Sequence, residues 1–382
     1  MKLSGIRVLD LSQYLPGPHL TMMMADHGAD VIRIEPPTGE PTREIGERQG
    51  GMTVYFRNTH RNKRSVVLDL KRPEAVAAFL QLARTADVVV EAFRPGVVER
   101  LGVGYAAVRA VNPRIVYCSV SAFGQTGPNA QRPAHDLSVE AETGVVSLNV
   151  GADGTPVVPC MLAADMAGSL MALSGILMAL LRRQQTGEGD YVDISMQDGL
   201  VSWLANIVGP VFTERRELDP AEERTLGGSA FYRIYRCSDD RFLTLGGSEP
   251  KFVTSLLSAL GRADLIPLCR LPPGRDQDPV RDFLDETFAR EPLAYWREFL
   301  GRLDLCWAPV NGVMEGLDSE HLKQRGMHLV FPDGQRHLGT PIRFTHEPGA
   351  VRPVAPALGE HTREVLREAG CSEAAIAAIV AR

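Results

Sequence analysis

Residues 6–35 read IRVLDLSQYLPGPHLTMMMADHGADVIRIE, and this stretch decides the fold. Ile6 to Leu11 is a short run that is apolar on both faces, and Pro16-Gly17-Pro18 breaks it. The stretch His19 to His27, rich in Met and Ala, predicts a helix, and Asp30 to Glu35 predicts a second strand. Strands that are apolar on both faces and separated by helices belong to a parallel sheet covered on both sides. The pattern repeats: strand Ser65 to Leu70, helix Glu74 to Arg84, strand Val88 to Glu91, strand Arg114 to Ser121. The expectation is a doubly wound α/β architecture with ligands at the carboxyl ends of the strands.

Further along, a helix starting at Asp165 runs to about Gln185 and stops at Thr186-Gly187-Glu188-Gly189. A strand over Tyr191 to Met196 and a helix from Gln197 follow, and then the texture changes. Glu214 to Glu223 is charged and turn-prone, a linker. Phe231 to Arg236 and Arg241 to Leu245 flank Ser238-Asp239-Asp240 and predict a hairpin. Helices over Lys251 to Leu260, Val280 to Ala289 and Leu293 to Leu303 complete a smaller α+β unit. The tail from Pro348 to Pro356 is proline-rich and extended, before a last helix from Thr362.

At 382 residues the chain is too long for one compact core, so two units are expected. A content of 44% hydrophobic and 23% charged residues is that of a globular protein. The net charge of −6 leaves no general footprint for nucleic acid or an anionic membrane, so any basic ligand site must be local. The six cysteines are scattered and form no C-x-x-C pair, which suggests reduced thiols rather than a metal site or a disulfide framework. The first residues lack the unbroken apolar core of a signal peptide, and the expectation is a soluble cytoplasmic protein. Met166 to Leu181 carries no charge but falls short of the ~20 residues that span a bilayer. It is read as a core helix.

Four acidic or imidazole side chains are candidates for chemistry. Asp165 sits at the start of its long helix, where the dipole favours a carboxylate. It is either an ordinary cap or a partly desolvated group that exchanges protons near neutrality. His135-Asp136 follows Arg132-Pro133-Ala134 in a loop; Asp136 could cap a helix beginning at Leu137, leaving His135 to face a ligand or solvent. Glu249 follows Gly246-Gly247-Ser248, with Ser248 as the expected N-cap and Glu249 and Pro250 in the first turn. The basic run His60-Arg61-Asn62-Lys63-Arg64, with Arg94 and Arg100, is either a solvated face or a polyphosphate site near strand ends. Neither dinucleotide nor nucleoside triphosphate binding has its glycine fingerprint here.

Taken together these segments resemble the family III CoA-transferases (the CaiB/BaiF group), which include the α-methylacyl-CoA racemases. The resemblance runs through almost the whole chain. It rests on Pro16-Gly17-Pro18, the stretch Ala25 to Glu35, the stretch Asn62 to Lys71, Phe93-Arg94-Pro95-Gly96, Phe123-Gly124-Gln125-Thr126-Gly127-Pro128 and Thr186-Gly187-Glu188-Gly189. It implies a Rossmann-like large domain over 1–213, a small domain over 225–325, a segment over 330–382 returning to the large domain, and an interlocked homodimer. It implies coenzyme A as part of the substrate with no permanently bound cofactor. The CoA phosphates would lie near Arg61, Lys63, Arg64, Arg94 and Arg100. In the transferase branch, Asp165 is the nucleophile that passes through a mixed anhydride and an enzyme-bound thioester. In the racemase branch, it is an acid/base group opposed by His135 of the His135-Asp136 pair, with Glu249 orienting the histidine.

Two-base racemisation at C2 needs two groups of matched proton affinity on opposite faces of that carbon. It also needs a hydrogen-bond donor for the enolate oxygen, and the first turn of the Asp165 helix is the candidate. The chain departs from the racemases at three places. Ala134 stands where they have glycine, Met161 replaces an asparagine, and Ala164-Asp165-Met166-Ala167-Gly168-Ser169-Leu170 replaces a Gly-Asp followed by three glycines. The glycine-rich loop of the transferases has no clear counterpart in Gly246-Gly247-Ser248. The expectation is therefore a racemase of 2-methylacyl-CoA thioesters, with a CoA-transferase as the alternative.

Overall fold

The computed structural model of the chain describes residues 1–151 and 153–381. It divides into two compact units. The first comprises Met1–Thr143, Pro159–Ser202 and Leu317–Arg382, and the second comprises Gly144–Val158 and Trp203–Gly316. The second unit thus begins at Trp203 and also takes in the excursion 144–158, two features that composition did not mark.

The first unit is built on six strands: β1 (Arg7–Asp10), β2 (Asp30–Glu35), β3 (Arg64–Val67), β4 (Val88–Glu91), β5 (Val116–Ser121) and β6 (Tyr191–Ser195). Every neighbouring pair is parallel, and the order across the sheet is β3-β2-β1-β4-β5-β6. This is the order of a dinucleotide-binding doubly wound sheet. Val88, Val89 and Val90 are wholly buried, as are Val8, Leu9 and Ile32. Their continuous apolar character follows from burial on both faces.

Helix α1 (Pro16–Asp26) follows β1 directly. Pro16 and Pro18 occupy its first turn, where a missing N–H costs nothing and a fixed φ helps. The motif therefore starts the helix as well as ending the strand. Gly17 is dictated by close approach: a Cβ there would lie 2.1 Å from Ser12 Cβ. Ser12 Oγ in turn donates to Asp10 Oδ1 at the end of β1.

Helices α2 (Pro73–Ala83), α3 (Asp136–Glu142), α4 (Ala163–Thr186) and α5 (Met196–Ser202) also belong to this unit. By length and composition α4 could cross a bilayer. Here Ala164, Ala167, Ala172 and Ile176 are wholly buried, and its glycines permit close packing. A Cβ on Gly168 would lie 2.9 Å from Met196 Cγ, and one on Gly175 would lie 2.8 Å from Val192 Cγ1. The opposite face exposes Leu170, Leu177, Met178 and Leu181. Arg183 near its end pairs with Asp87 at 2.7 Å.

The second unit carries a three-stranded antiparallel sheet. The hairpin Tyr232–Arg236 and Phe242–Gly246 is joined by Trp307–Pro309, a strand too short to register in the sequence. Helices Pro250–Ala259, Asp278–Phe288 and Leu293–Leu300 pack with it around Phe231, Tyr235, Leu243, Leu256, Phe288 and Trp296. The two polar rings in that core are satisfied: Tyr235 Oη donates to the Ala230 carbonyl and Trp296 Nε1 to the Phe288 carbonyl. At the C-terminus the structure has two helices, Thr362–Glu368 and Glu373–Val380, where the sequence suggested one.

The Gly17 contact is testable. Gly17→Ala should overpack the β1–α1 turn and cost about 1–3 kcal/mol, read as a lower urea midpoint at unchanged slope. A wild-type midpoint would show that the turn relaxes freely.

Candidate active site

The switch point of the sheet lies between β1 and β4, where the connections diverge to opposite sides and leave a crevice. A cleft of about 510 Å³ opens there. The segments after β1 and β4 and the end of β5 line it with Gln13, Tyr14, Arg94 and Ser121, and the α3 and α4 N-termini add His135 and Asp165. Two of the expected residues, His135 and Asp165, are therefore brought into one cleft.

His135 is the N-cap of α3, in extended conformation, and its carbonyl accepts from Ser138 N and Val139 N. Its imidazole is exposed and stands edge-on to the Tyr14 ring, with centroids 5.7 Å apart. Tyr14 holds φ 63°, a left-handed conformation that costs a residue with a side chain energy unless its surroundings compel it. The compulsion is local, because Tyr14 N donates to Glu40 Oε1 at 3.0 Å and Glu40 is itself buried.

Asp165 is the third residue of α4 and is half-buried. Burial pushes its carboxyl up to about 7, and the nearby charges of Asp136 and Glu140 add to the shift. The Tyr55 hydroxyl is raised by burial and then by the charges of Asp165 and Glu40.

Asp136 begins α3 instead of capping it. Its carboxylate leaves that helix and accepts from Asp165 N at 3.0 Å. The first turn of α4 is consequently occupied: Ala163 N donates to Glu140 Oε1 at 2.9 Å. The expectation that this turn supplies the enolate donor is corrected, because carboxylates of α3 take these amides.

The basic cluster is also corrected. Arg61 is 1% exposed, forks onto Asp26 and donates to the Leu338 carbonyl at 2.7 Å. Lys63 Nζ is buried against Asp10 Oδ2 (3.0 Å), Thr21 Oγ1 (2.8 Å) and the Pro18 carbonyl (2.9 Å). Burial alone would raise the Asp10 carboxyl, but Lys63 and Arg33 hold it at about 2. Arg64 opens β3, at the amino edge of the sheet, and pairs with Asp30 and Glu368. None of the three lines the cleft. They neutralise buried or neighbouring carboxylates, a role that a one-dimensional charge run cannot distinguish from phosphate binding. Arg94 does line the cleft, while Arg100 is exposed at the end of the turn Val97–Arg100 and does not. Arg132 lines it unforeseen; its only signal was its place three residues before His135.

Glu249 belongs to the second unit, as N-cap of Pro250–Ala259. Ser248, expected in that role, hydrogen-bonds Ser229 instead. The Glu249 carboxylate is exposed and makes no hydrogen bond or ion pair within its unit among the described residues.

The sequence model of CoA-transferase family III matches residues 3–362. The chain belongs to CoA-transferase family III. It is thus an acyl-CoA enzyme of that family, and its curated relatives fall into two chemistries. An acetyl-CoA:oxalate CoA-transferase of Acetobacter aceti is 32% identical over 97% of this chain and 96% of its own length. The α-methylacyl-CoA racemase of Homo sapiens is 34% identical over 97% of this chain and 94% of its own. Among solved structures, a CAIB/BAIF family protein from Brucella suis superposes with a TM-score of 0.82. It shares 27% identity and covers 96% of this chain and 99% of that one.

For this family III chain, Lys63→Met should strip the Asp10 site of a buried cation and cost about 3–5 kcal/mol in urea unfolding. Arg94→Ala, at an exposed cleft residue, should leave stability within about 0.5 kcal/mol while weakening acyl-CoA binding. The reverse pattern would restore Lys63 as the ligand residue.

Proposed function

We propose that this protein is a racemase of 2-methylacyl-CoA thioesters, working by two-base proton transfer at C2 with His135 and Asp165. The observation that carries the reading is their presence in one cleft, with a carboxyl titrating at about 7. At neutral pH such a carboxyl is available as either acid or base, the condition for reversible proton exchange.

In one direction neutral His135 removes the C2 proton and leaves a thioester enolate. Protonated Asp165 then delivers its proton to the opposite face, giving the other epimer. The enzyme is left with an imidazolium and a carboxylate, the state from which the reverse reaction starts. The reading assigns Glu249 to orient the imidazole and places it there through the interlocked homodimer that the family resemblance implies. CoA would run along the carboxyl edge of the sheet with its phosphates toward Arg94 and Arg132. A cytoplasmic location fits such a metabolite enzyme.

The transferase of Acetobacter aceti covers as much of the chain as the human racemase does, and this favours a second reading. There, Asp165 attacks the thioester carbonyl, releases the CoA thiolate and forms an acyl anhydride. The thiolate then attacks the Asp165 carbonyl, expels the donor acid and leaves CoA as a thioester on Asp165. An incoming carboxylate displaces that thiolate to form a second anhydride, and the thiolate attacks its acyl carbon, giving the new acyl-CoA and freeing Asp165.

Incubation of one 2-methylacyl-CoA epimer in deuterated water separates the two. Racemisation should place deuterium at C2 with loss of optical purity, and His135→Ala should slow it about 10²–10⁴-fold. Retention of hydrogen, with an Asp165 hydroxamate trapped by hydroxylamine, would give the site to the transferase. The pH dependence has a definite shape. Both directions start from a His135–Asp165 pair that shares one proton, so kcat/KM should follow the same bell-shaped profile for either epimer, with one limb near 7 where Asp165 titrates.

A further inference from the structure

The start of α4 has no cap of its own, for Leu162 offers no side-chain acceptor. Its amides are taken from α3. Glu140 Oε1 accepts from Ala163 N at 2.9 Å, and Asp136 Oδ1 accepts from Asp165 N at 3.0 Å. The two acceptors are four residues apart on α3 and so share a face. Glu140 is 1% exposed, and among the described residues its second oxygen, Oε2, has no partner. A carboxylate so deep in a protein is costly unless something compensates it, and the helix N-terminus compensates only one of its oxygens.

We propose that Glu140 is a positioning residue of the site: it anchors the first turn of α4 and sets a buried negative charge behind Asp165. The inference rests on the reading that Asp165 does the chemistry, and it names the residue that tunes it. Asp165 is faced from α3 by Asp136 and Glu140 and from the helix Val54–His60 by Tyr55. The same cleft is lined by Tyr14, His135, Arg94 and Arg132. Only the α3 carboxylates lie against the α4 backbone, out of water, where a like charge is least screened. Their effect, added to burial, favours the protonated form of Asp165. Glu140 also lies within hydrogen-bonding reach of Asp136, and its own carboxyl is raised, first by burial.

Two variants separate charge from contact. Glu140→Gln keeps an oxygen for Ala163 N and removes the charge; Glu140→Asp keeps the charge and withdraws the oxygen from the amide. The readout is the Asp165 carboxyl in full-length protein labelled with 13C-carboxyl aspartate, its signal assigned by its loss in Asp165→Asn. Glu140→Gln should lower the Asp165 midpoint by about one pH unit, the size expected for a lost like charge. Glu140→Asp should leave the midpoint within a few tenths of a unit but lower the thermal midpoint of unfolding. A wild-type titration in Glu140→Gln overturns the proposal, as does an equal fall in both variants. Should Glu140→Asp fail to fold, the isosteric Glu140→Gln decides alone. The signal is the carboxyl itself, so a protein that turned over no acyl-CoA would still report the shift.

Discussion

Parallel strands that leave the middle of a sheet in opposite directions cannot both cover the edge they leave, and this constraint organises the first unit. β1 and β4 are neighbours, yet the chain proceeds from β1 toward β2 and β3, and from β4 toward β5 and β6. The crevice between them is unavoidable. Tyr14 and Arg94 reach it because each follows one of those strands by a few residues, and His135 and Asp165 reach it because two helices begin beside it. What fixes the ends of those strands therefore fixes the site. At the end of β1 that is a buried set of charges, Asp10 with Lys63 and Arg33, which holds Ser12 and the start of α1 in place.

The residues that a linear reading assigns to a ligand are thus spent on the frame. Arg61, Lys63 and Arg64 sit in sequence like a phosphate cluster, but each is matched to a carboxylate from β1, α1 or β2: Asp26, Asp10 and Asp30. Those partners lie 53 residues away for the Lys63–Asp10 pair and 34 for the Arg64–Asp30 pair, too far for any local pattern to reveal. In a chain of net charge −6, cations within reach of buried carboxylates are first needed there.

The sheet was legible because its signal is local: continuous apolar runs such as Val88–Glu91 and Asp30–Glu35 coincide with the observed strands. The long helix was legible for the same reason, a charge-free stretch from Met166 to Leu181 in a helix that Gly187 closes in left-handed conformation. The identities of His135 and Asp165 stood out through motif order. Their setting did not. Tyr14 gains its role from a backbone conformation imposed by Glu40, 26 residues away. Glu140 gains its role from an amide 23 residues further on. Glu249 could be seen as the start of a helix, and the structure adds that its carboxylate is left exposed there. Such pairings are set by packing between elements, which no period of 2 or 3.6 encodes.

One carboxyl can serve both chemistries found among the relatives, and the reason is electrostatic. A carboxyl raised to about 7 is more basic than an ordinary aspartate, so it binds a proton more firmly and, when ionised, is the stronger nucleophile. On the two proposed readings the same burial thus serves Asp165 whether it hands a proton to C2 or attacks the thioester carbon. What divides the outcomes is the group placed across from it. An imidazole within the cleft completes a proton relay; a carboxylic acid admitted to the same space completes an anhydride exchange. His135 lines the same cleft as Asp165, exposed and beside the edge of Tyr14. In the racemase reading proposed above, the α3 N-terminus therefore carries the choice, with Asp165 and the carboxylates beside it serving either chemistry.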